Sequence, residues 1–377
     1  MTITVFPSEL NGIVKAIPSK SAAHRGLICE CLAGACDIVA CDGTSDDIEA
    51  TKRCLAEISK TNPVLNCGES GSTFRFMLPI VMALGLDATF ILEGRLPERT
   101  GYPAKFGIHE QLKPGIQSIE GGKTSQYISG MLFALPLLDG DSQLHITGRF
   151  ESKPYVDLTV DMLKKFGINV DFADNVFYVR GNQVYKPPEQ FTIEGDWSNS
   201  AFWLVAGSLS GKSVTVTGLD MQSKQGDKAI VKLLQEFDDN KSGVMEIDVR
   251  DIPDLVPILA VRAAGWNGVT TIRNAGRLRI KESDRLQAMV DTLTSIGAKV
   301  EQSHDELRVY GSEFKLDNGG LFPLNSYNDH RIVMSAAIAA TCLCKEPVTI
   351  EAAEAVEKSY PGFFEDLKSL GGKFKIK

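Results

Sequence analysis

The sequence predicts an α/β (α+β) fold of two domains built from repeated helix–strand units, and three observations lead to that reading. The chain has 377 residues, which at roughly 100 to 200 residues per domain suffices for two domains with a core each. A short unit recurs as DMLKKFGINV (161–170), DTLTSIGAKV (291–300) and EDLKSLGGKF (365–374). In each, apolar residues at helical spacing run into a glycine that caps the helix, and an alternating strand follows and pairs beside its predecessor. Lys186-Pro187-Pro188 and then IEGDWSNS mark a Pro-rich loop and a change of composition, so a domain crossing is expected near Gly195. The expected domains are 19–194 and 1–18 plus 195–377, the first strand lying near Val5 to Ile17.

Taken in chain order, the first element after that strand is Pro18-Ser19-Lys20-Ser21-Ala22-Ala23-His24-Arg25, which opens an apolar helix. Serines at a helix start leave backbone N–H groups free for an anion, and Lys20 and Arg25 add charge there. A helix ATKRCLAEISK leads through Asn62-Pro63 into the strand-like VLNCGESG. Cys67-Gly68-Glu69-Ser70-Gly71-Ser72-Thr73-Phe74-Arg75 repeats the anion-site pattern, with glycine allowing close backbone approach. Between Ala50 and Lys123 no further copy of the helix–glycine–strand unit is read, and this domain is expected to be abbreviated.

Thr124, Ser125, Gln126 and Tyr127 head the next apolar helix, with Ser152-Lys153-Pro154-Tyr155 shortly after. Hydroxyls and an amide at a helix start suit a polyhydroxylated ring, because each ring hydroxyl wants a donor and an acceptor. Ala229 to Phe237 reads as a weaker copy of the repeat. Arg277-Leu278-Arg279-Ile280-Lys281-Glu282-Ser283-Asp284-Arg285 is the densest charged motif, and it opens a helix. Glu282 among cations is an acid/base candidate whose proton affinity its neighbours tune. Asp251-Ile252-Pro253-Asp254, Asn328-Asp329-His330-Arg331 and Lys358-Ser359-Tyr360-Pro361 each place a charged or titratable group at an element boundary.

Composition narrows the function. With 40 Lys and Arg against 48 Asp and Glu the net charge is −8, which argues against a general nucleic-acid or membrane surface. No secretory signal is visible, so a cytoplasmic location is expected. The longest apolar stretches, Thr124 to Leu138 and Ile332 to Cys344, fall short of the roughly 18 to 20 residues a bilayer span needs and are expected as buried helices. Cys29 and Cys31, like Cys342 and Cys344, are spaced i, i+2, so buried reduced thiols are expected and no metal site. Gly207-Ser208-Leu209-Ser210-Gly211-Lys212-Ser213 is one residue short of the P-loop spacing, and no dinucleotide fingerprint follows a first strand.

Together and in this order, PSKSAAHR, CGESGSTFR, LPERTGYP, KTSQYISG, SKPYVDLTVDMLKKFG, IEGDWSNSAFW, DIPDLVPILA, RLRIKESDRL, NDHRIVMSAA and VEKSYPGFFEDL closely resemble the motifs of the 5-enolpyruvylshikimate-3-phosphate synthase family of enolpyruvyl transferases. RIKESDRL with NDHR is the most specific pair. The resemblance implies two domains of repeated α/β units, the chain crossing between them twice, and an active site in the interdomain cleft. It implies transfer of the enolpyruvyl group of phosphoenolpyruvate to the 5-hydroxyl of shikimate 3-phosphate, in the shikimate pathway to chorismate and aromatic amino acids. The reaction runs through a tetrahedral adduct that expels phosphate. No cofactor, nucleic acid or membrane is expected to take part, and a monomer is expected.

Carried over by motif, Lys20, Ser21 and Arg25 contact the substrates, and Gly71 and Arg99 border phosphoenolpyruvate. Thr124, Ser125, Gln126, Ser152 and Tyr155 hold shikimate 3-phosphate, with Arg277 as a further ligand. Asp254 accepts the 5-hydroxyl proton, and Glu282 handles the proton at the phosphoenolpyruvate methylene carbon. Lys281, Arg285, Arg331 and Lys358 clamp phosphate and carboxylate. The expected catalytic set is Asp254, Glu282, Lys20, Lys281 and His330. Two residues depart from the family pattern: Glu69 stands where many members carry asparagine, adding negative charge beside an anion site, and Thr100 follows Arg99 where proline is usual, loosening its presentation. The rival readings are a substrate-binding homologue with impaired catalysis and the related UDP-N-acetylglucosamine enolpyruvyl transferase.

Overall fold

A computed structural model describes residues 1–35, 45–122, 124–312, 315–317 and 323–377. The chain forms two compact units, an inserted one of Pro18–Glu194 and a discontinuous one of Met1–Ile17 with Gly195–Lys377. Strands β1 (Ile3–Phe6) and β2 (Gly12–Lys15) start the discontinuous unit. Where one strand is expected there are two, because Pro7 lacks the N–H a strand interior needs.

The inserted unit follows with α1 (Lys20–Leu32), α2 (Asp46–Glu57), β3 (Val64–Gly68), α3 (Gly71–Leu84), β4 (Ala88–Leu92), α4 (Leu96–Thr100), β5 (Lys105–Ile108) and β6 (Gly115–Glu120). It ends with α5 (Ser125–Ala134), β7 (Ser142–Thr147), α6 (Lys153–Lys165), β8 (Val170–Ala173) and β9 (Val176–Val179). The discontinuous unit resumes with α7 (Trp197–Ser210), β10 (Val214–Thr217), α8 (Ile230–Asp239), β11 (Ser242–Asp248), α9 (Val256–Ala264) and β12 (Asn267–Arg273). Then come α10 (Arg285–Ser295), β13 (Lys299–Gln302), β14 (Glu306–Tyr310), β15 (Leu324–Asn325), α11 (His330–Cys342), β16 (Val348–Glu351), α12 (Phe363–Ser369) and β17 (Lys373–Ile376).

Three sheets share one pattern. In the order β6-β7-β9-β8, β6 and β7 run parallel and β9 lies antiparallel between β7 and β8. The order β11-β12-β14-β13 repeats this arrangement. So does β15-β16-β1-β17, in which β1 from the start of the chain takes the third place. The sheet β3-β4-β5 has the parallel pair and one antiparallel neighbour, three strands among the described residues. Between β4 and β5 the chain makes only the short α4, where the other sheets carry a longer helical segment and an edge strand.

The three repeats read from the sequence sit at the edges of these sheets. Their glycines, Gly167, Gly297 and Gly371, take φ of +76°, +91° and +100°, positive values that a residue with a side chain rarely adopts. The strands after them do not pair with their predecessors as expected. Instead β8, β13 and β17 pair antiparallel with β9, β14 and β1. For β8 the cause is the two-residue turn at Asp174 and Asn175, both at positive φ (+52° and +60°), which folds the next strand back on it. A further copy does occur between Ala50 and Lys123: α3 ends at Gly85 (φ +64°) and leads into β4. The sequence hides it because α3, GSTFRFMLPIVMAL, is apolar on nearly every side and lacks an amphipathic stripe. The weaker copy at Ala229 to Phe237 ends at Asn240 in extended backbone, without a glycine cap.

Each unit has its own apolar core. Helices α1, α3 and α5 in one, and α7, α9 and α11 in the other, are buried on most sides. The stretches around Thr124–Leu138 and Ile332–Cys344 are among these buried helices. Their interior walls are held by packing, so their polar ends are the parts left for chemistry.

Candidate active site

In the inserted unit the three motif helices are capped alike. Ser19 accepts from the Ala22 N–H at the head of α1, Ser70 from Thr73 N–H at α3, and Thr124 from Gln126 N–H at α5. Each cap satisfies one of the orphan amides and leaves others in the first turn available to an anion.

Lys20 and Ser21 are the first two residues of α1. Lys20 Nζ lies 2.7 Å from Asp47 Oδ2 on α2, both side chains being less than one-fifth exposed. Arg25 is 3% exposed, and burial lowers its pKa to about 10. Its Nε donates to Thr159 Oγ1 (2.7 Å), its Nη1 to Ser21 O (2.6 Å), and its Nη2 to Tyr155 O (2.8 Å). It therefore braces α1 against Tyr155 on α6, with Phe76 beneath the guanidinium at 5.1 Å.

Gly71 is the first residue of α3, and a Cβ there would stand 2.5 Å from Arg75 Nη1 and 3.2 Å from Arg99 Nη2. The missing side chain is what lets two guanidinium groups close over this backbone. Arg75 Nη1 donates to Gln126 Oε1 (2.8 Å) and Gly71 O (3.3 Å), and Gln126 Nε2 donates to Ser72 Oγ (2.8 Å). Gly71, Arg99 and Gln126 are thus gathered around Arg75. The sequence reading passed over Arg75, although its place four residues after Gly71 puts both on one helix face.

Ser125, 7% exposed, follows the Thr124 cap. Ser152 precedes α6 at φ +53°, an uncommon left-handed conformation for a residue with a Cβ. Thr100 Oγ1 donates to Leu96 O at 2.8 Å, so the turn that presents Arg99 is bonded through the hydroxyl rather than left loose. Glu69 packs its carboxyl group over Gly94, where a Cβ would lie 2.6 Å from Glu69 Cδ.

The discontinuous unit holds the second set, and Arg285 is its centre. This guanidinium, on the first residue of α10 and 1% exposed, donates from Nε to Asp329 Oδ2 (2.8 Å), from Nη1 to Asp254 Oδ1 (3.0 Å) and from Nη2 to Glu282 Oε2 (2.7 Å). Burial works against its charge, but the three carboxylates raise its pKa above the ordinary arginine value. Arg331 Nη2 reaches Asp254 Oδ2 at 3.3 Å while its Nη1 donates to Asp254 O at 3.1 Å. Lys281 Nζ is 3.6 Å from Asp254 Oδ1. Burial alone would raise the Asp254 pKa; Arg331, Lys281 and Arg285 together hold it well below the usual carboxylate range. For Lys281, burial lowers the pKa against the pull of Asp254.

Asp329 is fully buried. It accepts from Arg285, from the Ser283 hydroxyl (3.0 Å), and from Arg331 N–H (2.9 Å) as the cap of α11. Its burial cost is overridden by Arg285, which keeps it ionised below the usual value. The NDHR motif named it, but its role as the carboxylate joining Arg285 to α11 was not read. His330 is 1% exposed, with Nδ1 3.9 Å from Asp329 Oδ1.

Lys358 Nζ donates to Asn328 O at 2.9 Å. Its segment is anchored by Asn199 Nδ2, which donates to Ser359 Oγ (3.2 Å), and by Trp203 Nε1, which donates to Tyr360 OH (3.0 Å). Arg277 bonds instead to the carbonyl of Arg250. Asp227, 3% exposed, accepts from the Ser198 hydroxyl, and burial, reinforced by Asp254, pushes its pKa up to about 6.

Among the described residues the six cysteines Cys29, Cys31, Cys54, Cys67, Cys342 and Cys344 are free and buried. No helix among them is long and apolar enough to cross a membrane.

The inserted unit therefore places Lys20 and Gly71 in the first turns of capped helices, with Arg99 near Gly71, and the discontinuous unit gathers a lysine and two arginines on Asp254. A family profile described as EPSP synthase (3-phosphoshikimate 1-carboxyvinyltransferase) matches residues 98–367. The chain is 42% identical to a 3-phosphoshikimate 1-carboxyvinyltransferase of Clostridium kluyveri, with 98% of this chain and 97% of that protein covered. It is 39% identical to one of Clostridium acetobutylicum at the same coverage. The first of these alignments spans 421 positions, more than the 377 residues here, so the relative carries insertions that this chain lacks. In fold it is similar to EPSP synthase of Acinetobacter baumannii (TM-score 0.76, 20% identity, all of both chains). It is also similar to the enolpyruvyl transferase NikO of Streptomyces tendae (TM-score 0.73, 15% identity, 99% of this chain and 98% of that one).

Proposed function

The chain belongs to the EPSP synthase (3-phosphoshikimate 1-carboxyvinyltransferase) family, and from that premise we propose how its residues divide the reaction. The protein transfers the enolpyruvyl group of phosphoenolpyruvate to the 5-hydroxyl of shikimate 3-phosphate and releases phosphate. The convergence of Arg285, Arg331 and Lys281 on the Asp254 carboxylate carries the assignment of roles. A base surrounded by three cations is a weak base while they are unoccupied. When the phosphate and carboxylate of phosphoenolpyruvate draw those cations to themselves, Asp254 regains basicity with the substrate already in place.

In the first step Asp254 removes the 5-hydroxyl proton as the oxygen bonds to C2 of phosphoenolpyruvate, and Glu282, held by Arg285, supplies a proton to the methylene carbon. In the second, the C2–O bond to phosphate breaks, the methyl group gives a proton back to the protein, and the double bond re-forms. Lys20, Lys281, Arg99, Arg331 and Lys358 offset the anionic charge of phosphoenolpyruvate and of the leaving phosphate. Gly71 and the first turn of α3 border the phosphoenolpyruvate.

Ser21, Arg25, Thr124, Ser125, Gln126, Ser152, Tyr155 and Arg277 hold shikimate 3-phosphate. Arg25 is well placed to act through Tyr155, whose backbone it grips. His330 serves by packing under Asp329, the residue that orients Arg285. The protein works as a monomer in the cytoplasm.

The test is phosphorus and proton NMR of the protein with both substrates. The expected result is a new carboxyvinyl ether on shikimate 3-phosphate with one phosphate released per ether formed. UDP-N-acetylglucosamine in place of shikimate 3-phosphate should give none. Tight binding of both substrates with no ether formed would instead favour a binding homologue.

A further inference from the structure

Four buried side chains behind the α1 and α3 helix ends form a chain that these roles do not use. His24 on α1, Thr51 on α2, and Thr73 and Ser70 at the start of α3 are all at most 2% exposed. His24 Nδ1 lies 2.7 Å from Thr51 Oγ1, Thr51 Oγ1 2.6 Å from Thr73 Oγ1, and Thr73 Oγ1 2.8 Å from Ser70 Oγ.

The direction of the protons follows by elimination. Thr73 donates its hydroxyl proton to Ser70 Oγ, with Asp47 O as a second acceptor at 3.4 Å. Thr51 must then donate to Thr73, and its oxygen is left to accept from the imidazole. His24 is therefore protonated at Nδ1, and its Nε2 carries the lone pair. The surroundings agree, since Nε2 has no hydrogen-bond partner among the described residues and the ring stands edge-on to Phe76. Burial, aided by Lys20 and Arg25 and opposed by Asp47, lowers the His24 pKa to about 3, so the ring is neutral at physiological pH.

The first two links cross from α1 to α2 and from α2 to α3, and the third ties Thr73 to Ser70, the cap of α3 itself; each helix carries a residue of the site: α1 Lys20, α2 its partner Asp47, α3 Gly71. A hydrogen bond between buried groups has a narrow range of good lengths and a cost if broken. We infer that His24, Thr51, Thr73 and Ser70 form a directed positioning chain that sets the register of α1, α2 and α3, and through Lys20 and Gly71 the affinity for phosphoenolpyruvate. The inference rests on the placement of phosphoenolpyruvate at Lys20 and Gly71 given above.

Thr51→Val keeps the shape and removes the link, and Thr51→Ser restores it. Thr51→Val should raise KM for phosphoenolpyruvate about tenfold, the worth of about one net hydrogen bond. KM for shikimate 3-phosphate and kcat should stay within about twofold, and Thr51→Ser should recover most of the loss. Nitrogen-15 NMR should show His24 protonated at Nδ1 in the unaltered protein and in Thr51→Ser, and redistributed toward Nε2 in Thr51→Val. Equal changes in both KM values, or a fall in kcat and melting temperature alone, would reduce the chain to a structural role. A His24 protonated at Nε2 in the unaltered protein would overturn it outright. If the unaltered protein shows no turnover, the proposed reaction fails, and the tautomer of His24 still decides the chain.

Discussion

Arg331 holds Asp254 at two points, its Nη2 3.3 Å from the carboxylate and its Nη1 donating to the same residue's backbone carbonyl at 3.1 Å. The aspartate is thereby fixed in place and its proton affinity lowered by one neighbour. Because its folded pKa lies below the unfolded value of about 3.9, the stability it contributes is complete above that pH and is lost as pH falls toward the folded value. Asp254→Asn should accordingly leave a protein whose unfolding free energy falls less steeply below about pH 4. Urea titrations between pH 2.5 and 5 would check this, and parallel slopes in the two proteins would contradict it.

Asp227 should behave in the opposite sense. Its pKa is pushed up to about 6 by burial and by Asp254, so from about pH 4 upward the folded state keeps a proton that the unfolded chain has released. Stability should fall as pH rises from about 4 to 6, by on the order of 3 kcal/mol, and level off above. Asp227 and Asp254 titrate as a pair, so this slope belongs to both. Asp227→Asn, which can still accept from Ser198, should remove most of the decline; an unchanged curve would mean that Asp227 is not the group responsible.

Arg285→Met tests the buried array as a whole. It would leave Asp329 fully buried with Asp254 and Glu282 beside it and no shared cation, a change that typically costs about 3–5 kcal/mol. A chemical-denaturation midpoint shifted by less than a third of that would show the carboxylates to be satisfied by other groups.

Gly71→Ala places a methyl group where Arg75 Nη1 and Arg99 Nη2 now close in. Both are ends of flexible side chains, so the protein should fold, but with the guanidinium groups displaced and the phosphoenolpyruvate site narrowed. KM for phosphoenolpyruvate should rise about tenfold or more, equivalent to about 1.4 kcal/mol, with KM for shikimate 3-phosphate changed far less. The same geometry predicts that glyphosate competes with phosphoenolpyruvate in the unaltered protein, and inhibition without competition would contradict it.

The parts of the site that sequence reasoning could reach are those where local chemistry is sufficient. A serine or threonine before an apolar run announces a helix start, and Ser19, Ser70 and Thr124 do cap α1, α3 and α5. The family motifs then supplied Asp254, Glu282 and Arg285. What escaped was pairing at a distance. Arg285 meets Asp254 and Asp329 from 31 and 44 positions away, and no periodicity encodes such a meeting. Arg75 stands in the CGESGSTFR motif, but its bond to Gln126, 51 positions away, is not legible there.

The fold divides in the same way. Helix–glycine–strand units are visible because a left-handed cap selects glycine, yet which strand the last one joins depends on turns and on β1 arriving from the other end of the chain. Abbreviation of the first half was inferred from a missing pattern, and a copy is in fact present at Gly85. Among the described residues β3-β4-β5 has three strands where each of its three counterparts has four. Gly71 and Arg99, proposed to border phosphoenolpyruvate, follow β3 and β4 of this sheet.

The most direct test of the central claim is phosphate release by the purified protein, measured with each substrate alone and with both, beside Asp254→Ala and Lys20→Met. Release that needs both substrates and is lost by about 10²-fold or more in each variant, with shikimate 3-phosphate still bound, is the result this account predicts. Phosphate released from phosphoenolpyruvate alone, or undiminished release in Asp254→Ala, would contradict it.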